Sequence, residues 1–420
     1  MTISDDRQFL ASLFRAAVDA ADPQTALLPH MPDRPKGRTV VVGAGKGAAQ
    51  MAKAFEDLWG EPVEGVVVTR YGYRGPTRRI QVLEASHPVP DAAGLAASDA
   101  LFTALQGLTE DDLVVALICG GGSSLLPSPP GELTLKDEQA LNETLLASGA
   151  PISVMNAIRK QVSRIKGGRL AAAAYPARVV SLVVSDVPGD DPAQVASGPT
   201  VPDRVRLTDT RQLIESHRIT LPHRIADYLK TAGEPPLPDD PMFARNQVKV
   251  IASAARSLEA AARHAETLGV PAVILSDAIE GEAKDVGQVH AAIARETRMK
   301  HRPFAPPVVI LSGGETTVTL QNTGGRGGRN TEFLMAFAGK IETLDMVALA
   351  ADTDGIDGSE DNAGAFADGT TWPRLRAMGQ DPVAILAQHD AWTGFNALGD
   401  LYSPGPTGTN VNDFRAILIR

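Results

Sequence analysis

Lys46 sits between two glycines in Gly43-Ala-Gly-Lys-Gly47, directly after the apolar run 40–42. A buried strand that ends in glycines lets bare backbone N–H groups approach an anion, and a following helix aims its positive end at the same spot. A lysine on such a turn adds a mobile charge for a phosphate or carboxylate. The pattern recurs in Cys119-Gly-Gly-Gly-Ser-Ser124 and in Ser312-Gly-Gly-Glu315, each after an apolar run. Three such turns point to the handling of phosphate. Gly45, Gly47, Gly121, Gly122, Ser123, Ser124, Gly313, Gly314 and Glu315 are then the candidate contacts.

Two acidic loops also follow apolar runs: Ser185-Asp-Val-Pro-Gly-Asp-Asp-Pro192 and Asp352-Thr-Asp-Gly-Ile-Asp-Gly358. Carboxylates at strand ends hold Mg²⁺ together with water and substrate phosphate, or accept a hydroxyl proton. Asp186 and Asp354 are the candidate metal ligands and Asp190 the candidate base. The alternative is that these aspartates only form Asx-turns. The second loop is no EF-hand, because Ile356 stands where Asp or Asn is needed.

Gly324-Gly-Arg-Gly-Gly-Arg-Asn-Thr-Glu332 offers Arg326, Arg329 and Asn330, suited to developing phosphoryl charge unless the loop is merely solvated. In Lys166-Gly-Gly-Arg169 two glycines interrupt a helical pattern at roughly 1 kcal/mol each, so either another backbone or a ligand packs there. Thr409 and Asn410 lie in a late polar turn, and His87 in Ser86-His-Pro-Val-Pro-Asp91 is the one histidine in a distinctive setting. The other seven read as solvated. No Ser-His-Asp arrangement and no metal-type histidine pair is readable.

The first turn is not a Walker A loop, since Val40 and Gly47 occupy positions that should be Gly and Ser or Thr. It does fit Gly-x-Gly-x-x-Ala through Gly43, Gly45 and Ala48. The expected acidic ribose ligand is missing. The second strand ends in Arg70, so a nicotinamide reading would require NADP. A tight strand-to-helix turn explains the same glycines.

The elements that must position these residues are short apolar runs at 40–42, 66–69, 114–118, 179–184, 248–251, 273–275, 308–311 and 346–350, separated by helical patterns. Strands that are apolar throughout predict parallel sheets covered on both faces, hence α/β architecture with ligands beyond the strands' carboxyl ends. With 420 residues, two domains are expected. The Pro-rich stretch 231–241 is the expected boundary, giving 1–237 and 245–420.

A net charge of −10 with no Lys/Arg block argues against nucleic acid or an anionic membrane as partner, so an anionic ligand must be captured locally. Cys119 is the single cysteine, which excludes an internal disulfide and a Cys-based zinc site and fits a reducing cytoplasm. Phe9, Leu10, Leu13, Phe14, Ala17 and Val18 have helical spacing rather than the pattern of a signal peptide.

In combination, Gly43–Gly47, Ser86–Asp91, Cys119–Ser124, Lys166–Arg169, Ser185–Asp190, Ser197-Gly-Pro-Thr200, Glu280-Gly-Glu-Ala283, Ser312–Glu315, Gly327–Asn330, Asp352–Gly355 and Gly408-Thr-Asn-Val411 resemble, in order, the glycerate 2-kinase family. The resemblance covers essentially the whole chain. It implies a Rossmann-like three-layer parallel-sheet N-terminal domain and a smaller C-terminal α/β domain called MOFRL, with the active site between them. It implies transfer of the γ-phosphoryl of ATP, with Mg²⁺, to the 2-hydroxyl of D-glycerate. By position, the family's key lysine is similar to Lys46 and its key arginine to Arg329. Thr331 replaces the usual Gln after Gly-Gly-Arg-Asn, and Ile251-Ala-Ser-Ala replaces a Gly-Ser-Asn step, which leaves local contacts in question. An NADP-dependent hydroxypyruvate reductase, a name often attached to such sequences, and a non-catalytic nucleotide or sugar-phosphate binder stay open as alternatives. ATP and D-glycerate are the expected partners, with self-association left open.

Overall fold

The computed structural model describes residues 3–320 and 325–420, which form two compact units. The first, Pro23–Ile251, is built on a six-stranded sheet. Its strands are β1 (Thr39–Ala44), β2 (Glu64–Arg70), β3 (Gln81–Ala85), β4 (Leu113–Cys119), β5 (Arg178–Val184) and β6 (Gln247–Ala252), in the order β3-β2-β1-β4-β5-β6. β1 to β5 pair in parallel. Burial of every residue of β1 and β4 matches their uninterrupted apolar sequences, as expected of central strands covered on both faces. A separate helical cluster, with Leu141, Leu145, Ile158, Ile225 and Leu229 at its centre, forms a second small core in this unit.

The second unit joins residues 3–22 to Ala252–Arg420. Its strands are β7 (Ala272–Ser276), β8 (Gly281–Glu282), β9 (Val308–Gly314), β10 (Thr316–Thr317), β11 (Met346–Asp352), β12 (Gly364–Asp368), β13 (Leu401–Tyr402) and β14 (Asp413–Ile419). Six of them make a sheet in the order β13-β12-β11-β14-β9-β7, and β8 pairs with β10. This sheet departs from the expected parallel form. Only β7 and β9 run parallel, whereas β9/β14, β14/β11, β11/β12 and β12/β13 are antiparallel. β14 lies between β9 and β11, the two strands whose apolar runs suggested parallel neighbours.

The division of the chain also differs from the expected boundary. Residues 231–241 do not separate the units: Phe243 is buried in the core of the first, the Asn246 side chain accepts from the Val179 N–H at 2.9 Å, and β6 then extends the first sheet. The N-terminal helix Ile3–Ala21 belongs to the second unit. Phe9, Leu10, Leu13, Phe14 and Ala17 project from one helical face into a core shared with Leu258, Leu311, Leu349 and Phe414. Phe14 meets Tyr402 and Phe414 edge-on, with ring centroids 5.3 and 5.7 Å away. Phe14→Ala is therefore expected to lower the unfolding free energy of the second unit by about 3–5 kcal/mol in chemical denaturation. A loss well under 1 kcal/mol would remove the helix from that core.

Candidate active site

In the first unit the order of the sheet reverses between β1 and β4, the position at which open α/β sheets leave a crevice for ligands. The turn after β1 carries Lys46 and the turn after β4 carries Gly120–Ser124, and the two interlock. Lys46 N–H donates to Gly120 O at 2.9 Å, and Gly47 N–H to Cys119 Sγ at 3.2 Å. Gly45 has φ 137°, and a side chain there would begin 2.4 Å from the Cys119 carbonyl oxygen. The close pass of β4 thus demands the glycine at 45, with no dinucleotide needed to explain it.

Around this junction several chemical groups converge. A methyl group on Gly121 would lie 3.0 Å from both His87 Nε2 and Lys46 Cγ, and one on Gly120 would strike the Asp186 carboxylate. The half-buried Lys46 makes no side-chain hydrogen bond or ion pair among the described residues. The helix Ala48–Trp59 that starts beside it has no side-chain cap, so its positive end is not neutralised by the chain. Burial, and then the charges of Lys46 and Arg70, push the His87 imidazole down to about 4. The ring stays neutral at physiological pH. Cys119 is fully buried, which pushes its thiol up to about 12 and leaves it an inert acceptor.

The serines of the second turn do not cap its helix. Ser123 Oγ shares a 2.8 Å hydrogen bond with Ser197 Oγ, and Ser124 Oγ donates to Gly121 O. Asp190 is half-buried on a short turn and makes no side-chain hydrogen bond or ion pair among the described residues.

Lys166 does not join this cluster: it is buried, and its ammonium pairs with Glu138 at 2.7 Å. The two glycines after it answer to another backbone, as Gly167 N–H bonds Ser197 O and Gly168 N–H bonds Gly198 O.

The second unit presents a different kind of site. Arg329, the first residue of the helix Arg329–Ala338, donates to Asp413 at 2.6 Å, to Asp352 at 2.6 Å and to Glu315 at 2.9 Å. Burial opposes its charge, but the three carboxylates outweigh that and hold the guanidinium above its ordinary range. Buried Arg415 pairs with Asp413 as well. The surplus of carboxylates has its own consequence. Burial, with Asp354 and Asp413 adding to it against the pull of Arg329, drives Asp352 well above the usual carboxylate range.

Asp357 fills the helix's N-terminus. It accepts from the Asn330 and Thr331 N–H groups, each at 2.9 Å, and from the Thr331 hydroxyl at 2.8 Å. Thr331, which departs from the family's usual Gln, thereby acts in the cap. At the other departure, Ser253 caps the helix Ala254–Thr267. Asn330 also donates to Asp413 at 2.9 Å.

Other expected contacts of this unit are occupied within the chain. Gly313 and Gly314 are ladder residues of β9 opposite Phe414 and Asp413, not a free turn. Arg326 lies over the Trp392 ring at 3.6 Å and pairs with Glu360. Thr409 donates to Ala21 O at 3.0 Å, and the Asn410 side chain accepts from Asn412 N–H. Gly324 lies outside the described residues. Asp354 Oδ1 accepts from Ile356 N–H at 2.9 Å, an Asx-turn. Among the described residues, no group of three or more His, Cys, Asp or Glu is arranged to hold a metal ion.

Sequence comparison matches residues 9–230 to a family described as "Domain of unknown function (DUF4147)" and residues 308–413 to the "MOFRL family". A Pyrococcus horikoshii protein named glycerate 2-kinase is 38% identical over 98% of this chain and 97% of its own. The chain belongs to the glycerate 2-kinase (MOFRL) family. It is a phosphotransferase by that membership. A crystal structure titled as a glycerate kinase from Thermotoga maritima superposes with a TM-score of 0.90 at 34% identity, covering 99% of this chain and 100% of that one. An Agrobacterium vitis protein, 52% identical over 98% of this chain and 94% of its own, is provisionally named a hydroxypyruvate reductase. The fold and the family stand with the kinases, and that label is a misnomer for sequences of this kind.

Not all of the other histidines are solvated, as the sequence suggested. His389 is buried against Glu332 at 3.0 Å. His290 is buried between Val286 O and Ser312 Oγ, and burial pushes its ring down to about 4. His87 and His290 therefore favour the unprotonated ring in the folded state. Their contribution to stability is complete above the ordinary value of about 6.5 and falls away as pH drops from there toward 4. Imidazole NMR titration should show two midpoints near 4, and midpoints near 6.5 would contradict the burial of both rings.

Proposed function

We propose that this phosphotransferase moves the γ-phosphoryl group of ATP to the 2-hydroxyl of D-glycerate, giving 2-phosphoglycerate and ADP. The observation that carries this reading is the unpaired Lys46. In a chain whose other prominent cations, Arg329, Arg326 and Lys166, are met by carboxylates, Lys46 stands without one beside an uncapped helix end. A half-buried cation left without a partner is arranged for an incoming anion.

Phosphoryl transfer asks the protein for positioning and charge neutralisation more than for covalent chemistry. Lys46, on a flexible stem, can follow charge as it moves from donor to acceptor. The neutral His87 ring offers a hydrogen bond without adding charge. Asp190, whose side chain has no hydrogen-bond or ion-pair partner among the described residues, is the proposed acceptor of the glycerate hydroxyl proton. Arg329, already held between Asp352, Asp413 and Glu315, is proposed to keep that acidic cluster ordered and to meet phosphoryl charge with the same fork.

The donor set suits Mg²⁺, since this ion keeps much of its water and takes one or two carboxylates plus phosphate oxygens rather than a protein cage. Asp186 or Asp354 would supply such a carboxylate, and the ion would neutralise phosphate charge when bound.

Purified protein with D-glycerate and MgATP should yield ADP and a phosphate monoester that ³¹P NMR assigns to the 2-position. Consumption of NADPH with hydroxypyruvate, and none of ATP, would overturn the kinase reading. Lys46→Ala is expected to lower kcat by roughly a hundredfold or more with the fold retained, because the lost interaction is strongest in the transition state. Turnover within a few-fold of the parent would remove Lys46 from the chemistry.

A further inference from the structure

Arg70, like Lys46, is a cation of the first unit with no carboxylate partner among the described residues. It ends β2, and the strand end is stitched to the Lys46 turn on both sides: Gly45 N–H donates to Val68 O at 3.1 Å, and Thr69 Oγ1 donates to Lys46 O at 3.0 Å. The central carbon of the Arg70 guanidinium lies over the Tyr73 ring, 3.6 Å from its centroid. None of its N–H groups has an acceptor among the described residues, and Nε is shut away from solvent without one. The neighbouring carboxylates are engaged elsewhere. Glu84 accepts from Gly72 N–H at 2.8 Å, and Asp91 from the Tyr71 hydroxyl at 2.7 Å and from Gly94 N–H at 3.0 Å.

The charge of Arg70 reaches His87, whose ring it helps to keep neutral alongside Lys46. Arg70 and Lys46 thus both bear on His87, at the junction where the Asp186 carboxylate also lies. Desolvating a guanidinium with no counter-ion is unfavourable, and an anion on its remaining N–H groups would offset that.

We propose that Arg70 holds the carboxylate of the hydroxy acid substrate, leaving Lys46 for the phosphoryl group. The assignment rests on the glycerate reading above and follows from the shapes of the two cations. A guanidinium is a rigid planar fork that matches a carboxylate with two parallel hydrogen bonds, whereas an ammonium is a point charge able to track a moving group. The cation–π contact with Tyr73 already restrains the Arg70 side chain before the ligand arrives, so little side-chain freedom is lost on binding. Arg70 is then what selects a 2-hydroxy acid over the corresponding uncharged polyol.

The test compares the parent protein with Arg70→Ala and Arg70→Lys in steady-state kinetics, with calorimetric titration of D-glycerate into each. Arg70→Ala should raise the glycerate KM by roughly ten- to a hundredfold, with kcat changed only a few-fold and the ATP KM unchanged. Arg70→Lys should recover part of the loss, and millimolar guanidinium ion should partly rescue Arg70→Ala. An unchanged glycerate KM would overturn the assignment. So would a rise in the ATP KM alone, or a parallel fall of kcat, both affinities and melting temperature, the pattern of a merely structural arginine. Should the parent protein fail to turn over glycerate, the kinase reading falls by itself. Calorimetry then decides on Arg70: glycerate binding that is lost in Arg70→Ala supports the assignment, and equal or absent binding in both proteins overturns it.

Discussion

The close pass of the β1 turn over the end of β4 is the constraint on which the first unit's chemistry depends. Only a residue without a side chain fits at position 45, because the Cys119 carbonyl already fills the space a side chain would need. Given that contact, Lys46 N–H is fixed on Gly120 O and Gly47 N–H on the Cys119 sulfur. Lys46, His87 and the Asp186 carboxylate are then gathered on one glycine turn. The neutral thiol at 119 suits this position, since a thiolate there would pair with Lys46 and neutralise the charge that makes the turn useful.

The two units handle charge in opposite ways. In the first, Lys46 and Arg70 stand without a carboxylate partner among the described residues, and the helix end beside Lys46 is uncapped. In the second, two arginines are surrounded by Asp352, Asp413 and Glu315, and Asp357 closes the helix end at which a bare anion would otherwise bind. The first arrangement attracts anions and the second resists them unless a cation accompanies the anion.

Much of this was legible in the sequence where the residue type alone forces the geometry. The apolar runs ending in glycine did become β1, β4 and β9, and the turn at Lys46 lies at the point where the strand order reverses. What was not legible depended on partners distant in the chain. β14 carries Asp413 and Arg415 at its start, so it does not read as a buried strand until their pairing with each other and with Arg329 is known. β12, Gly-Ala-Phe-Ala-Asp, has too little apolar mass to stand out. Lys166 and Arg326 were attractive as ligand contacts by their glycine neighbours, yet Glu138 and Glu360 take their charges. Asp357 was visible as one more acid in a turn, and only the helix start at Arg329 gives it a task.

The place of the N-terminal helix has a consequence for how the protein is made. Its apolar face, with Phe9, Leu10, Leu13 and Phe14, shares its core, among the described residues, with residues that follow position 252. A ribosome adding about 5–20 residues per second needs on the order of 10–50 s to cross the intervening ~230 residues. Throughout that interval the helix carries a hydrophobic stripe whose described native partners are not yet made, while the whole of the other unit is synthesised and can fold. The helix Ile3–Ala21 thus completes its core only with residues made after the unit that follows it in the chain, so the unit whose residues are contiguous can form before the one that closes around this helix.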